Sequence, residues 1–99
     1  MSRFHNIRDW AEARNLVDGS DPKSQYVKLI EEAGELAAAI ARNKQAEALD
    51  AIGDMVVVLT ILASQLDTTI EECIEGAWHE IKDRKGRMVD GVFIKEADQ

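Results

Sequence analysis

Between Met55 and Ala63 only Thr60 is polar. Wound at helical pitch, that stretch has no side suited to water, so a helix built from it must be surrounded by other elements. It is far shorter than the roughly 20 residues of a membrane span, and the surroundings are therefore expected to be protein. Asp54 leads directly into the run and Asp50 lies one turn earlier. The two acids are about 40° apart on a helical wheel, and the line of Asp54 continues through Val58 and Ile61. Acids thus border a line that otherwise reads as core.

A second acidic group, Glu31-Glu32-Ala33-Gly34-Glu35, stands upstream. At about 100° per residue Glu32 and Glu35 lie roughly 60° apart, with Lys28 between them. Leu29, Leu36 and Ile40 centre the apolar stripe to one side, so these acids also sit on its border. One reading is a solvated surface in which Glu31 pairs with Lys28 or Lys23. The other is an ion site: four carboxylates gathered at a core edge cost on the order of several kcal/mol in repulsion and desolvation unless a divalent cation compensates. Hard oxygen donors suit Mg²⁺, or Mn²⁺ as an alternative.

The charge balance narrows the function classes. With 19 acidic against 12 basic residues and a formal charge of −7, the chain is poorly suited to a nucleic-acid backbone, whose phosphates require clustered Lys and Arg. A small anionic substrate would need a metal to approach. Aromatics make up 5%, Pro occurs once, and Ala, Leu, Ile and Glu dominate, which is helical composition. Residues 1–99 are read as one all-α domain. The single cysteine, Cys73, has no internal disulfide partner, and the chain does not open on a signal-like apolar segment. A reducing cytoplasm is the expected setting, with no membrane contact, and Cys73 is read as packing or incidental.

The pattern predicts four helices. The first runs from Phe4 to Leu16 and stops at Asp18-Gly19-Ser20. Asp21-Pro22 supplies a cap and a helix-starting proline for the second, which extends to about Arg42. After the break at Asn43-Lys44-Gln45 the third covers about Ala46 to Leu66. Thr68 with Glu71, or Thr69 with Glu72, fits a capping box for a fourth helix reaching about Lys85. Turns at Gly86 and Asp90-Gly91 then leave Val92-Phe93-Ile94 as a short extended segment. Three short helices can hardly cover the third on all sides, so a second copy is expected to help. Trp10 and Trp78 are read as core or interface anchors. Lys82, Arg84, Lys85 and Arg87 hold a third of the basic residues. They serve either the macrodipole at a helix end or the phosphates of a ligand. His79 is read as an exposed or capping histidine.

The string Lys28-Leu29-Ile30-Glu31-Glu32-Ala33-Gly34-Glu35-Leu36, the later Ile52-Gly53-Asp54 and the basic Ile81-Lys82-Asp83-Arg84-Lys85-Gly86 together resemble the MazG-like nucleoside triphosphate pyrophosphohydrolases, over about residues 25 to 96. The resemblance implies an all-α, four-helix MazG-like domain with a short C-terminal extended tail, its bundle completed by oligomerisation as a homodimer or homotetramer. It also implies Mg²⁺-dependent hydrolysis of nucleoside and deoxynucleoside triphosphates to the monophosphate and pyrophosphate. Glu32 and Glu35 match the first pair of metal ligands in this family, Glu31 the leading acid, and Asp54 the closing ligand of a later Glu-x-x-Asp element. Lys28 and Lys82 match phosphate-facing lysines, and His79 stands where the family usually has Asn. Where the family has Glu, three residues before Asp54, this chain has Ala51. Asp50 is its expected substitute, although a literal Glu-x-x-Asp also occurs at Glu47 to Asp50.

The expected site thus holds metal at Glu32, Glu35, Asp50 and Asp54, with Glu31 or a neighbouring carboxylate taking a proton from water. Lys28, Lys82, Arg84 and Lys85 would steady the phosphates. Two rival readings are a catalytically weak, metal-dependent nucleotide-binding regulator, motivated by Ala51, and a purely structural helical module.

Overall fold

The computed structural model describes residues 2–98, with the side chain of Asp98 outside that description. Four helices follow in order: α1 (Arg3–Ala13), α2 (Pro22–Ala41), α3 (Gln45–Gln65) and α4 (Ile70–Ile81). A two-stranded tail closes the chain, β1 (Gly86–Val89) and β2 (Val92–Lys95), ending in one 3₁₀ turn over Glu96–Asp98. The all-α expectation holds.

Helix starts follow the capping residues. Asp21 accepts the backbone N–H of Ser24 at 2.8 Å, ahead of Pro22 at the first helical position. Thr69, not Thr68, caps α4 by accepting from the Glu72 N–H at 3.1 Å. Helix stops follow a rule the apolar spacing does not carry. Asn15, Asn43 and Asp67 each adopt a left-handed backbone, with φ of 57°, 56° and 60°. In each case the next N–H reaches back to the carbonyl five residues earlier: Leu16 to Ala11, Lys44 to Ala39 and Thr68 to Ala63, at 2.9, 2.9 and 3.1 Å. Asn and Asp tolerate this conformation better than most side chains, so they end the helices where glycine often does. The first helix consequently stops at Ala13, three residues before the expected Leu16.

The fourth helix stops at Ile81 and not near Lys85. Its successor is a hairpin in register Gly86↔Lys95 to Val89↔Val92, turned on Asp90 and Gly91 with φ of 49° and 81°. Two consecutive positive values are what a two-residue hairpin turn demands, and Asp-Gly supplies them. A Cβ on Gly86 would fall 2.3 Å from the Ile94 carbonyl oxygen and 2.4 Å from the Phe93 ring, so the first strand can begin only on glycine. The expected extended segment at Val92–Ile94 is therefore one half of a pair.

α2 and α3 pack along one another as a helical hairpin, α1 lies against α3, and α4 rests chiefly on α3. The seam is narrow. Among the described residues the buried apolar set is Ala11, Ala39, Ala51, Val58, Ile61 and Ala63, mostly alanine, which brings backbones close but buries little surface. Thr60, the one polar residue of the apolar run, is fully buried and donates its hydroxyl to the Val56 carbonyl at 2.7 Å. Two long-range polar contacts hold α1 and the turn after it in place: a bidentate ion pair from Arg8 to Glu71 of α4, and Gln65 donating to the Val17 carbonyl at 3.2 Å. Trp10 and Trp78 are 46% and 53% exposed, so neither is a core anchor within the chain. Cys73 is also exposed, which removes its packing role. No helix among the described residues is long and apolar enough to cross a membrane.

Candidate functional site

Glu32 is the centre of the acidic region. It lies on the buried face of α2 and is 5% exposed, the one charged side chain among the buried described residues. Lys28, one turn earlier, brings its Nζ to 3.3 Å from Glu32 Oε1 and 3.9 Å from Glu31 Oε2. The second oxygen of Glu32, Oε2, is buried and has no protein partner. A buried carboxylate oxygen left unpaired is costly, by about 1–3 kcal/mol or more.

Two further carboxylates stand close to it. Glu35, itself exposed, follows Glu32 by three residues on α2; hydrogen bonding to Glu32 first, and the charge of Glu32 second, push its carboxyl above the usual range. On the facing helix Asp54 is half-buried, and burial is the chief cause of its raised pKa, with the charges of Asp50 and Glu32 adding to it. The Lys28 ammonium is raised in turn, first by its hydrogen bond to Glu32. The regular pitch of α2 and α3 therefore brings Glu32, Glu35 and Asp54 together, with Lys28 and the exposed Glu31 at the rim. Asp50 is exposed and acts on Asp54 through charge. Among the described residues no three carboxylates, imidazoles or thiolates converge as a finished ion cage. The geometry is a fan opening from Glu32.

Ala51, at the position where a Glu was expected, is 2% exposed and forms part of the α2–α3 seam.

Two clefts flank the acids. One, of about 430 Å³, is lined by Arg3, Asn6, Ile7 and Trp10 of α1 and by Asp54 and Val57 of α3. The other, of about 310 Å³, is lined by Glu35, Ala38, Arg42, Glu47 and Asp50. Arg42 is a cation that sequence reasoning missed, although it follows Glu35 by two helical turns and so shares its face.

The remaining basic residues are elsewhere. Lys82, Arg84 and Lys85 are exposed in the turn after α4, pair with no acid among the described residues, and belong to a segment that does not pack on α2. His79 pairs with Glu75 at 2.9 Å on the same exposed helix, as an ordinary surface histidine does.

A hairpin of helices with carboxylates gathered around the buried Glu32 defines a class: an all-α protein with acidic side chains on two adjacent helices and clefts beside them. Residues 20–89 match the MazG nucleotide pyrophosphohydrolase domain, and the chain belongs to that family. An uncharacterized 18.2 kDa protein in the rep-hol intergenic region of Haemophilus phage HP1 (strain HP1c1) is 49% identical over 69 residues. The match takes in 68% of this chain and 42% of the phage protein, so the chain spans less than half of that relative's length. No solved structure matches the chain significantly.

Proposed function

We propose that the chain hydrolyses nucleoside and deoxynucleoside triphosphates to the monophosphate and pyrophosphate, using Mg²⁺ or Mn²⁺ held by Glu32, Glu35, Asp54 and Asp50. One observation carries this reading: the buried, unpartnered Oε2 of Glu32 beside two carboxylates whose protons are held abnormally tightly. Lys28 answers one oxygen of Glu32 and leaves the other, and the all-oxygen donor set suits a hard divalent cation. When bound, such an ion neutralises phosphate charge and makes a nearby water more acidic.

The chain's own residues supply the other parts. Glu31, exposed at the rim, takes the proton of the water that attacks the α-phosphorus, and the bond to the leaving pyrophosphate breaks. Lys28 turns from Glu32 to the phosphates once the acids are compensated, and Arg42 offers a second positive contact from its cleft. Lys82, Arg84 and Lys85 serve the phosphates bound by a neighbouring copy.

That last role requires an assembly, and the shape of the chain supports one. Its radius of gyration is 16.3 Å, against about 13 Å for a compact domain of this length. Tyr26, Ile30 and Ile40 fall within about 40° of one line on α2 and are 56%, 52% and 63% exposed; Leu49 and Ile52 of α3 are 59% and 50% exposed. We assign the working unit as a homodimer or homotetramer that covers these side chains.

Pyrophosphate release from a panel of triphosphates, with Mg²⁺ and with EDTA, tests the proposal. Glu35→Gln is expected to abolish release with the helices intact by circular dichroism; substantial residual turnover refutes the ligand assignment. The buried Ala51 favours a second reading, a nucleotide-binding regulator of low turnover, which predicts tight Mg²⁺-dependent nucleotide binding without product.

A further inference from the structure

The β1–β2 hairpin stands apart from the helices, none of which packs on it more than marginally. Its register pairs Met88 with Phe93 and Val89 with Val92. Cross-strand partners share a face and successive pairs alternate between faces, so this ribbon is apolar on both sides. Met88 and Phe93, the larger pair, are 64% and 46% exposed. A two-stranded ribbon alone is at best marginally stable in water; it needs further strands or a helix packed against it. Neither comes from its own chain.

Charge selects the covering element. From Lys82 to Lys95 five basic residues against Asp83 and Asp90 leave a formal +3, so two such ribbons repel and strand addition from a second hairpin is disfavoured. α4 is the reverse. It carries four glutamates and no lysine or arginine; Arg8 and His79 answer two of them, and Glu72 and Glu80 have no basic partner among the described residues. Its Ile74, Trp78 and Ile81 form an uncovered stripe about 10 Å long, which a four-residue strand of about 13 Å spans. Within one chain the turn after Ile81 does not bring the ribbon onto this stripe.

We propose that two copies exchange these surfaces. The face of Met88 and Phe93 in one copy lies on Ile74, Trp78 and Ile81 of the other, and the reverse contact forms about a two-fold axis. Reciprocity covers both apolar surfaces at once, whereas a partner of another kind on the ribbon would leave α4 bare. The proposal deepens the assembly assigned above, on which it rests, and stands whether or not the chain hydrolyses nucleotides.

The test uses the full chain. With photoreactive benzoylphenylalanine in place of Phe93, unlabelled and nitrogen-isotope-labelled chains are mixed, irradiated and mapped by mass spectrometry. Links from position 93 to α4 of an oppositely labelled chain are expected. Links confined to one chain, or running to α2, α3 or the other hairpin, overturn the exchange. Sedimentation equilibrium supplies a second measurement. Met88→Ser combined with Phe93→Ser is expected to weaken self-association by at least about tenfold, and Trp78→Ser on the facing surface by a similar factor, with the helices intact by circular dichroism. A wild-type chain that stays monomeric removes the assembly and the exchange together. A wild-type assembly that either variant leaves unchanged removes the exchange alone.

Discussion

The α2–α3 hairpin and the α4–tail region are opposite solutions to being half of a small protein. α2 and α3 turn toward each other and hold most of the buried residues, yet one of those is a glutamate and three are alanines. α4 has no buried residue at all, although Ile70, Ile74, Trp78 and Ile81 recur at helical spacing, and the last three are 47%, 53% and 50% exposed. The first region packs on itself and keeps a polar group inside; the second keeps an apolar stripe outside. A region that spends buried surface on a carboxylate is shaped by binding, and a region that leaves leucine-sized side chains in water is shaped by contact with something else.

The largest expected effect separates the two directly. Ile61→Ala, at 4% exposure on the seam, should cost about 2–5 kcal/mol in urea unfolding. Ile74→Ala should cost well under about 1 kcal/mol in a dilute monomer. An equal cost for both, growing with protein concentration, would mean that another copy covers α4. Next comes the cation. Mg²⁺ at about one hundred times its dissociation constant should stabilise wild type by about 2.7 kcal/mol, read as a rise in Tm that EDTA reverses. Glu32→Gln should lose most of that rise, whereas neutralising Glu75 on α4 should change nothing.

A smaller effect joins the regions through Arg8 and Glu71. The hydrogen bond from Arg8 holds the Glu71 carboxyl below its usual range. Because the folded-state value is lowered, the contribution is present above the unfolded-chain value of about 4.3 and is lost as pH falls through the native one. Arg8→Met should therefore lower Tm near neutrality and flatten the acid-side fall of Tm below about pH 4. An unchanged acid limb would show that the clamp contributes nothing. The smallest effect concerns Gly53. A Cβ there meets nothing within 4 Å, so Gly53→Ala should stabilise an isolated chain by about 0.5–1 kcal/mol. A loss instead would place another backbone against α3 in the assembly.

What could be read from the residues alone follows the same division. The acids of α2 and α3 were legible because both helices are regular and the turn between them is short, so wheel angles translate into proximity for Glu32, Glu35 and Asp54. Helix ends were less legible, since Asn15 and Asp67 act through backbone conformation and leave no mark on apolar spacing. The position of Lys82, Arg84 and Lys85 depends on how α4 leaves α3, which no local pattern encodes. Trp10 read as an anchor because large aromatics usually bury; its exposure follows from a shallow cleft that exists only once α1 meets α3. The partner strand at Gly86–Val89 was missed although Asp90-Gly91 announces a hairpin, because Arg87 and Met88 gave no alternation.

The pairing of Lys28 with Glu32 has a consequence for the order of folding. The two are four residues apart on one helix, so their contact needs only α2 to form. The carboxylate destined for the interior therefore has a local counter-charge before α3 arrives. Docking of α3 therefore meets a carboxylate whose charge is already answered from within its own helix.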